Sequence, residues 1–174
     1  MDSELVVLHF VSVEAAERAL ETVKTLDAEG FLKVTDRKKE LIITSGGKNV
    51  APQAIEKELR SLSTVSQAVV VGDRRNYLVA LITLDPHRLP EEAESVGSDA
   101  RDLESAAKCP KLLTHLEEEI EAINKELARF ETIKRFAVLP EDLSVEGGEL
   151  TPTMKLKRRV INEKYAAEIE DLYA

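Results

Sequence analysis

Two lysines stand where a lysine can do chemistry. Lys48 follows Ser45, Gly46 and Gly47 in a run that ends at Asn49, and Lys155 follows Thr151, Pro152, Thr153 and Met154. An ammonium group is a compact positive charge suited to a carboxylate or phosphate oxygen. The glycine pair permits positive φ angles and close backbone approach to a ligand, with no Cβ in the way. The Thr-Pro-Thr sequence stiffens a turn, so Lys155 projects from a constrained tip. Each feature also has a plainer reading. Two glycines between a strand and a helix make a turn, and a lysine among polar residues is solvated surface. Ser-Gly-Gly-Lys lacks the first glycine of a phosphate loop and the hydroxyl after its lysine. There is no nucleophile elbow and no glycine fingerprint opening a helix. His9, His87 and His115 are not spaced with Cys109 as a zinc site requires, so no metal site is expected.

The elements around these runs must position them. Residues 31–35 and 40–44 read as short strands pairing as a hairpin across the charged turn Asp36-Arg37-Lys38-Lys39-Glu40. Pro52 opens a helix over 52–62 that buries Ile55, Leu59 and Leu62. Further upstream, 4–10 reads as a strand, 12–24 as a helix with Ser12 as its N-cap, and 27–30 as a turn. Residues 65–73 and 77–85 are apolar enough for strands buried on both faces, and the short link between them predicts an antiparallel hairpin. Residues 86–110 read as a polar loop with short helical pieces. An amphipathic helix follows over 111–130, with Leu112, Leu116, Ile120, Ile123 and Leu127 on one face and His115 in a structural role. A strand over 132–139, a turn-rich segment over 144–155 and a terminal helix over 156–173 complete the chain. The pattern predicts an α+β fold, a small sheet with helices packed on it, preceded by a short β-hairpin.

At 174 residues, 43% hydrophobic and 33% charged, the chain suits one domain, or one with an appendage. A net charge of −9 argues against nucleic acid, which needs concentrated basic surface. No apolar run reaches the ~18 residues of a transmembrane helix, and the first residues do not read as a secretory signal. A single cysteine suits a reducing cytosol. Basic residues cluster at 36–40, 72–77 and 154–159, and each cluster alone reads as solvated surface.

Together the two lysine segments are more specific. LDAEGFLKVTDRKKELIITSGGKNVAPQAIE (26–56) followed by ETIKRFAVLPEDLSVEGGELTPTMKLKRR (131–159) resembles the adenylate-forming superfamily. This superfamily contains acyl-CoA synthetases, luciferases and peptide-synthetase adenylation domains, and the resemblance is strongest to long-chain fatty acyl-CoA synthetases. It spans about residues 26–173 and only the family's small C-terminal lid domain, so residues 1–25 are set apart as a strand–helix segment of unknown origin. The nucleotide loop, adenine-binding segment and acyl tunnel of the family's large N-terminal domain have no counterpart here. The resemblance therefore implies the mobile lid of a long-chain fatty acid–CoA ligase, inactive alone. The alternative is a non-catalytic binding or regulatory module derived from such a lid, which the extra strand and helix slightly favour.

The implied reaction joins a fatty acid to CoA at the expense of ATP, through an acyl adenylate. ATP, CoA and Mg2+ are the implied cofactors, bound mainly by the large N-terminal domain. Lys155 matches the lysine that bridges carboxylate and α-phosphate, and Met154 stands where the family usually has glycine. Lys39 matches the hinge about which the lid rotates between the two steps. Arg37 resembles the residue that contacts the nucleotide ribose or phosphate. Ser45, Gly46, Gly47, Lys48 and Asn49 match the loop that lines the CoA channel after rotation. Lys157, Arg158 and Arg159 remain open between contact with CoA or the large domain and a solvated helix face. The complete enzyme is expected in the cytoplasm, with peripheral membrane attachment as a further option.

Overall fold

The computed structural model describes residues 22–26, 32–37 and 41–174, in units that divide between Leu41 and Ile42. In the first unit, β1 (Thr22–Leu26) and β2 (Leu32–Arg37) form an antiparallel hairpin, with Leu26 opposite Leu32 and Thr22 opposite Arg37. This corrects two expectations. Thr22, Val23 and Lys24 are strand rather than the end of a helix, because the β-branched Thr22, Val23 and Thr25 favour extended backbone. The partner of β2 is β1 and not 40–44, and β2 runs on through Asp36 and Arg37, residues assigned to the charged turn. The strand expected at 4–10 and most of the helix expected at 12–24 lie outside the described residues.

The second unit begins with β3 (Ile42–Ile43) and β4 (Asn49–Val50), a minimal hairpin closed by the glycine run. It continues through α1 (Pro52–Leu59), β5 (Val65–Val71), β6 (Leu78–Leu84), α2 (Leu89–Ser95) and α3 (Leu103–Ala107). The remaining elements are α4 (Pro110–Asn124), β7 (Ile133–Val138), α5 (Arg158–Lys164) and α6 (Ala166–Asp171). β5, β6 and β7 form one sheet in that order. β5 runs antiparallel to β6, as the short link predicts, and β7 runs parallel to it, Leu78 beside Ile133 and Ile82 beside Val138.

β6 is central and buried along its whole length, which explains a run almost without polar residues. The two-residue period of the strands sorts their side chains. Ala68, Val70, Ala80 and Ile82 pack with Ile55 and Leu59 of α1 and with Leu112, Leu116 and Ile120 of α4. Val69 and Leu81 face the opposite way, onto Leu139, Leu150, Ile161, Tyr165 and Ile169. The sheet is thus covered on both faces, and fully burying a leucine such as Leu116 stabilises by roughly 1.5–3 kcal/mol.

Local contacts decide where the helices stop. α4 was expected to reach 130 but ends at Asn124, whose side chain accepts from the Ile133 amide at 2.8 Å and donates to the Ile133 carbonyl at 2.9 Å. That exchange imitates a strand partner and turns the chain into β7. The terminal helix breaks at Tyr165, where φ −106 and ψ 30 depart from helical values. His115 is half-buried between Glu92 and Glu119, 4.0 and 3.8 Å away.

Candidate functional site

The glycine run closes on itself and is then held from outside. Thr44 donates its amide to the Lys48 carbonyl at 3.0 Å, and its hydroxyl accepts from the Lys48 amide at 3.2 Å. Gly47 adopts φ 73, the left-handed region, and donates to the Thr44 carbonyl at 2.8 Å. Glycine is needed there by the backbone itself. Gly46 is different: its φ is not positive, and an added Cβ would meet nothing nearer than Thr44 Oγ1 at 4.0 Å. Its bareness leaves the loop's surface open. Outside support comes from the β5–β6 turn. The Ile43 amide donates to Asp73 Oδ1 at 3.1 Å, the Arg74 amide to the Ile43 carbonyl at 2.8 Å, and the Ser45 amide to the Arg75 carbonyl at 2.9 Å. Ser45 Oγ donates to Asn76 Oδ1 at 2.6 Å.

Beside this loop lies a cleft of about 740 Å3 whose lining includes Lys48, Tyr77, Arg129, Phe130, Lys134 and Arg135. Phe130 is 41% exposed, unusual for a large apolar ring, and the Lys48 ammonium lies 5.7 Å from its centroid. A cationic cleft with an open aromatic face can hold a ligand that is both anionic and planar. Arg129, Lys134 and Arg135 are neighbours in the sequence, but only the fold sets them beside Lys48 and Tyr77. The exposed Phe130 between them was the available signal.

Lys155 sits at the end of a tight turn. The Thr151 amide donates to the Lys155 carbonyl at 2.8 Å, and the Met154 amide donates to the Thr151 carbonyl at 2.8 Å. The Lys155 amide donates to Thr151 Oγ1 at 3.0 Å. Leu150, fully buried, bridges to Leu156 and anchors both arms. Met154 holds φ 59, a left-handed angle that costs a residue with a Cβ on the order of 1–2 kcal/mol. The Lys155 side chain is exposed, and among the described residues its ammonium makes no hydrogen bond or ion pair.

Arg158 corrects one open reading. It is neither free nor a solvated face, since its guanidinium pairs at two points with the buried Glu56 of α1. Lys157 and Arg159 are exposed.

A family model of the AMP-binding enzyme C-terminal domain matches residues 39–174. The chain belongs to that family. This AMP-binding C-terminal domain is 43% identical over 152 residues to the long-chain-fatty-acid–CoA ligase FadD15 of Mycobacterium tuberculosis, covering 85% of the chain and 25% of that ligase. It is 41% identical over 166 residues to the long-chain-fatty-acid–CoA ligase ACSBG1 of Homo sapiens, covering 85% of the chain and 23% of that ligase. The chain thus spans about a quarter of the length of the curated relatives it matches. Among solved structures, the adenylation domain of a carboxylate reductase from Mycobacterium chelonae superposes with a TM-score of 0.69 at 26% identity, over 88% of this chain and 22% of that one. The corresponding domain from Segniliparus rugosus, solved with AMP and a carboxylic acid, shares the fold with a TM-score of 0.68 at 22% identity, over 92% of this chain and 25% of that one. The family resemblance and the α+β fold read from the sequence are both borne out.

In this AMP-binding C-terminal domain, Arg37 closes β2 opposite Thr22 and Lys39 lies outside the described residues. Ser45, Gly46, Gly47, Lys48 and Asn49 are all exposed, and Lys48 reaches the cationic cleft. Lys155 is held by a separate turn. No helix among the described residues is long and apolar enough to cross a membrane. Among the same residues no group of three or more His, Cys, Asp or Glu is arranged to hold a metal ion.

Proposed function

We propose that this domain is the mobile lid of an AMP-forming long-chain fatty acid–CoA ligase and serves its two half-reactions with two different loops. The observation that carries the reading is Lys155, whose ammonium makes no hydrogen bond or ion pair among the described residues, on a hydrogen-bonded, exposed turn in a domain whose relatives are named long-chain-fatty-acid–CoA ligases. In the first half-reaction a fatty acid carboxylate oxygen attacks the α-phosphorus of ATP, and the bond to the bridging oxygen breaks to release pyrophosphate. Negative charge crowds the phosphorus as this happens, and Lys155 meets it without reorganising. In the second, the CoA sulfur attacks the acyl carbon and the bond to AMP breaks.

The second step wants Lys155 withdrawn and a channel for the thiol arm. Rotation about Lys39, with Arg37 at the nucleotide, exchanges the two loops. Gly46 and Gly47 offer a narrow chain a wall without side chains, and Ser45, Lys48 and Asn49 complete that wall. The cleft of Lys48, Arg129, Phe130, Lys134 and Arg135 matches the phosphates and adenine of CoA in charge and in ring stacking. The large N-terminal domain is the partner that holds most of ATP and the acyl chain. Mg2+ would be held with ATP on that domain, where it would neutralise phosphate charge. The single cysteine agrees with a cytosolic setting.

The test is Lys155→Ala in the full-length ligase, with each half-reaction measured separately. Adenylation is expected to fall on the order of 10²–10³-fold. Transfer from supplied acyl adenylate to CoA should stay near its original rate. Lys39→Pro is expected to do the reverse, because a fixed φ hinders rotation. Equal losses in both steps for Lys155→Ala would make the lysine structural and end the assignment. Pyrophosphate release by the 174-residue chain alone, given ATP, fatty acid and CoA, would also overturn the lid reading.

A further inference from the structure

The turn that supports the glycine loop is itself gripped from the opposite side. Tyr173, beyond α6, donates its hydroxyl to the carbonyls of Val71 and Tyr77, both at 3.1 Å. Tyr77 donates its own hydroxyl to the Leu172 carbonyl at 3.0 Å, and the two rings lie 5.0 Å apart. The Arg75 guanidinium sits 4.6 Å from the Tyr173 ring centroid and pairs with Glu170 of α6. Arg75 therefore faces two ways. Its side chain is clamped by the C-terminal segment, and its backbone carbonyl receives the Ser45 amide of the glycine loop. Next to it, Arg74 is held at φ 59 while its amide donates to Ile43. A non-glycine residue keeps such an angle only where its surroundings over-determine it. Here the Ile43 carbonyl holds the Arg74 amide, and the C-terminal segment holds its neighbour Arg75.

We infer that Arg75 and Tyr173 are positioning residues for the glycine loop, so that the C-terminal segment governs how CoA is received. This rests on the reading of that loop as the wall of the CoA channel. Neither side chain belongs to that wall. They act through the Arg75 carbonyl and through Tyr77, which lines the cleft. A loop anchored at Ser45 loses its aim when the carbonyl beneath it shifts, and a misplacement near 1 Å can cost on the order of 10²-fold in a positioned reaction.

The experiment compares Arg75→Gln, Tyr173→Phe and Gly46→Val in the full-length ligase carrying this domain. Arg75→Gln removes the Glu170 pair and the ring contact. Tyr173→Phe removes the two carbonyl bonds and keeps the ring. With preformed acyl adenylate, Arg75→Gln is expected to raise KM for CoA roughly tenfold or more. Tyr173→Phe should raise it less, and adenylation should be unchanged in both. In the 174-residue chain the same variants should speed hydrogen exchange of the Ser45 amide. Gly46→Val tests the underlying reading, since a Cβ added there meets nothing nearer than Thr44 Oγ1 at 4.0 Å. If Gly46→Val leaves CoA transfer intact, the loop is not the channel wall and both readings fall. If it blocks transfer while Arg75→Gln leaves KM for CoA unchanged, the positioning role alone is overturned. Equal losses in both half-reactions for Arg75→Gln, with a lowered unfolding midpoint, would mark a structural residue and also overturn it.

Discussion

Glu56 and Arg158, 102 positions apart in the chain, meet through Oε1 to Nη1 at 2.7 Å and Oε2 to Nη2 at 2.8 Å. Glu56 Oε1 also accepts from the Val70 amide of β5 at 2.8 Å. Glu56 lies on the helix that follows the glycine loop, and Arg158 opens the helix that follows Lys155. The pair therefore ties the supports of the two loops to each other and to the sheet.

Removing the carboxylate breaks contacts to two groups at once. Glu56→Ala deprives the Val70 amide of its acceptor and takes the two-point Glu56 pair from Arg158. The loss is expected near 3 kcal/mol, the lower end for a broken buried pair because Arg158 keeps some solvent. Glu56→Gln retains an acceptor and should lose less. Urea unfolding midpoints at constant slope give both values, and a loss of stability no greater for alanine than for glutamine would refute the double role.

Met154 carries backbone strain and little burial. It is 60% exposed, so Met154→Gly removes the penalty of φ 59 without emptying a core position. Glycine also raises the entropy of the unfolded chain, so the net gain should be about 1 kcal/mol or less. Met154→Ala, which keeps a Cβ, should gain nothing. Thermal unfolding of the two variants side by side decides this, and a destabilised glycine variant would mean that the thioether itself supports the turn.

Acid and alkali should unfold the domain through different residues. Glu149 is 1% exposed; burial alone would push its carboxyl up, but the bonds from Lys164 and the Ser144 amide outweigh that and hold it below the usual range. The unfolded chain then takes up the proton first, so this stability is present above about pH 4.3 and is lost as pH falls further. Tyr173 behaves oppositely. Burial pushes its phenol up to about 12, so the folded state resists ionisation and its stability is lost as pH rises from about 10 towards that value. Glu149→Gln should flatten the acid limb of a stability–pH profile and Tyr173→Phe the alkaline limb. Unchanged limbs would assign them to other groups.

The sequence disclosed those features that depend on local pattern. The β5–β6 hairpin followed from apolar density and a short link, and α4 from its apolar stripe. The errors arose where a distant contact overrode the pattern. Asn124 ends α4 because Ile133 returns to meet it, and the helical stripe through Leu127 holds no trace of that. β2 prefers β1 to 40–44 because Gly47 already folds β3 back onto β4. The two loops were legible as turns from residue type, and their proposed roles rest on the resemblance. The cleft and the Arg75–Tyr173 clamp were not, since both join segments that only the folded chain brings together.

The parallel pairing of β6 with β7 also imposes an order in time. β5 and β6 are joined by a short turn and can zip at once, whereas β7 must wait for α2, α3 and α4 to form the crossover between them. Non-local pairing of this kind is slow, because the loop entropy is lost before the contact is gained. Lys134 and Arg135 lie on that late strand, so the cationic cleft is among the last features to mature. Pulse-labelled refolding should protect β5 and β6 amides before those of β7, and any early collapsed species should lack the cleft.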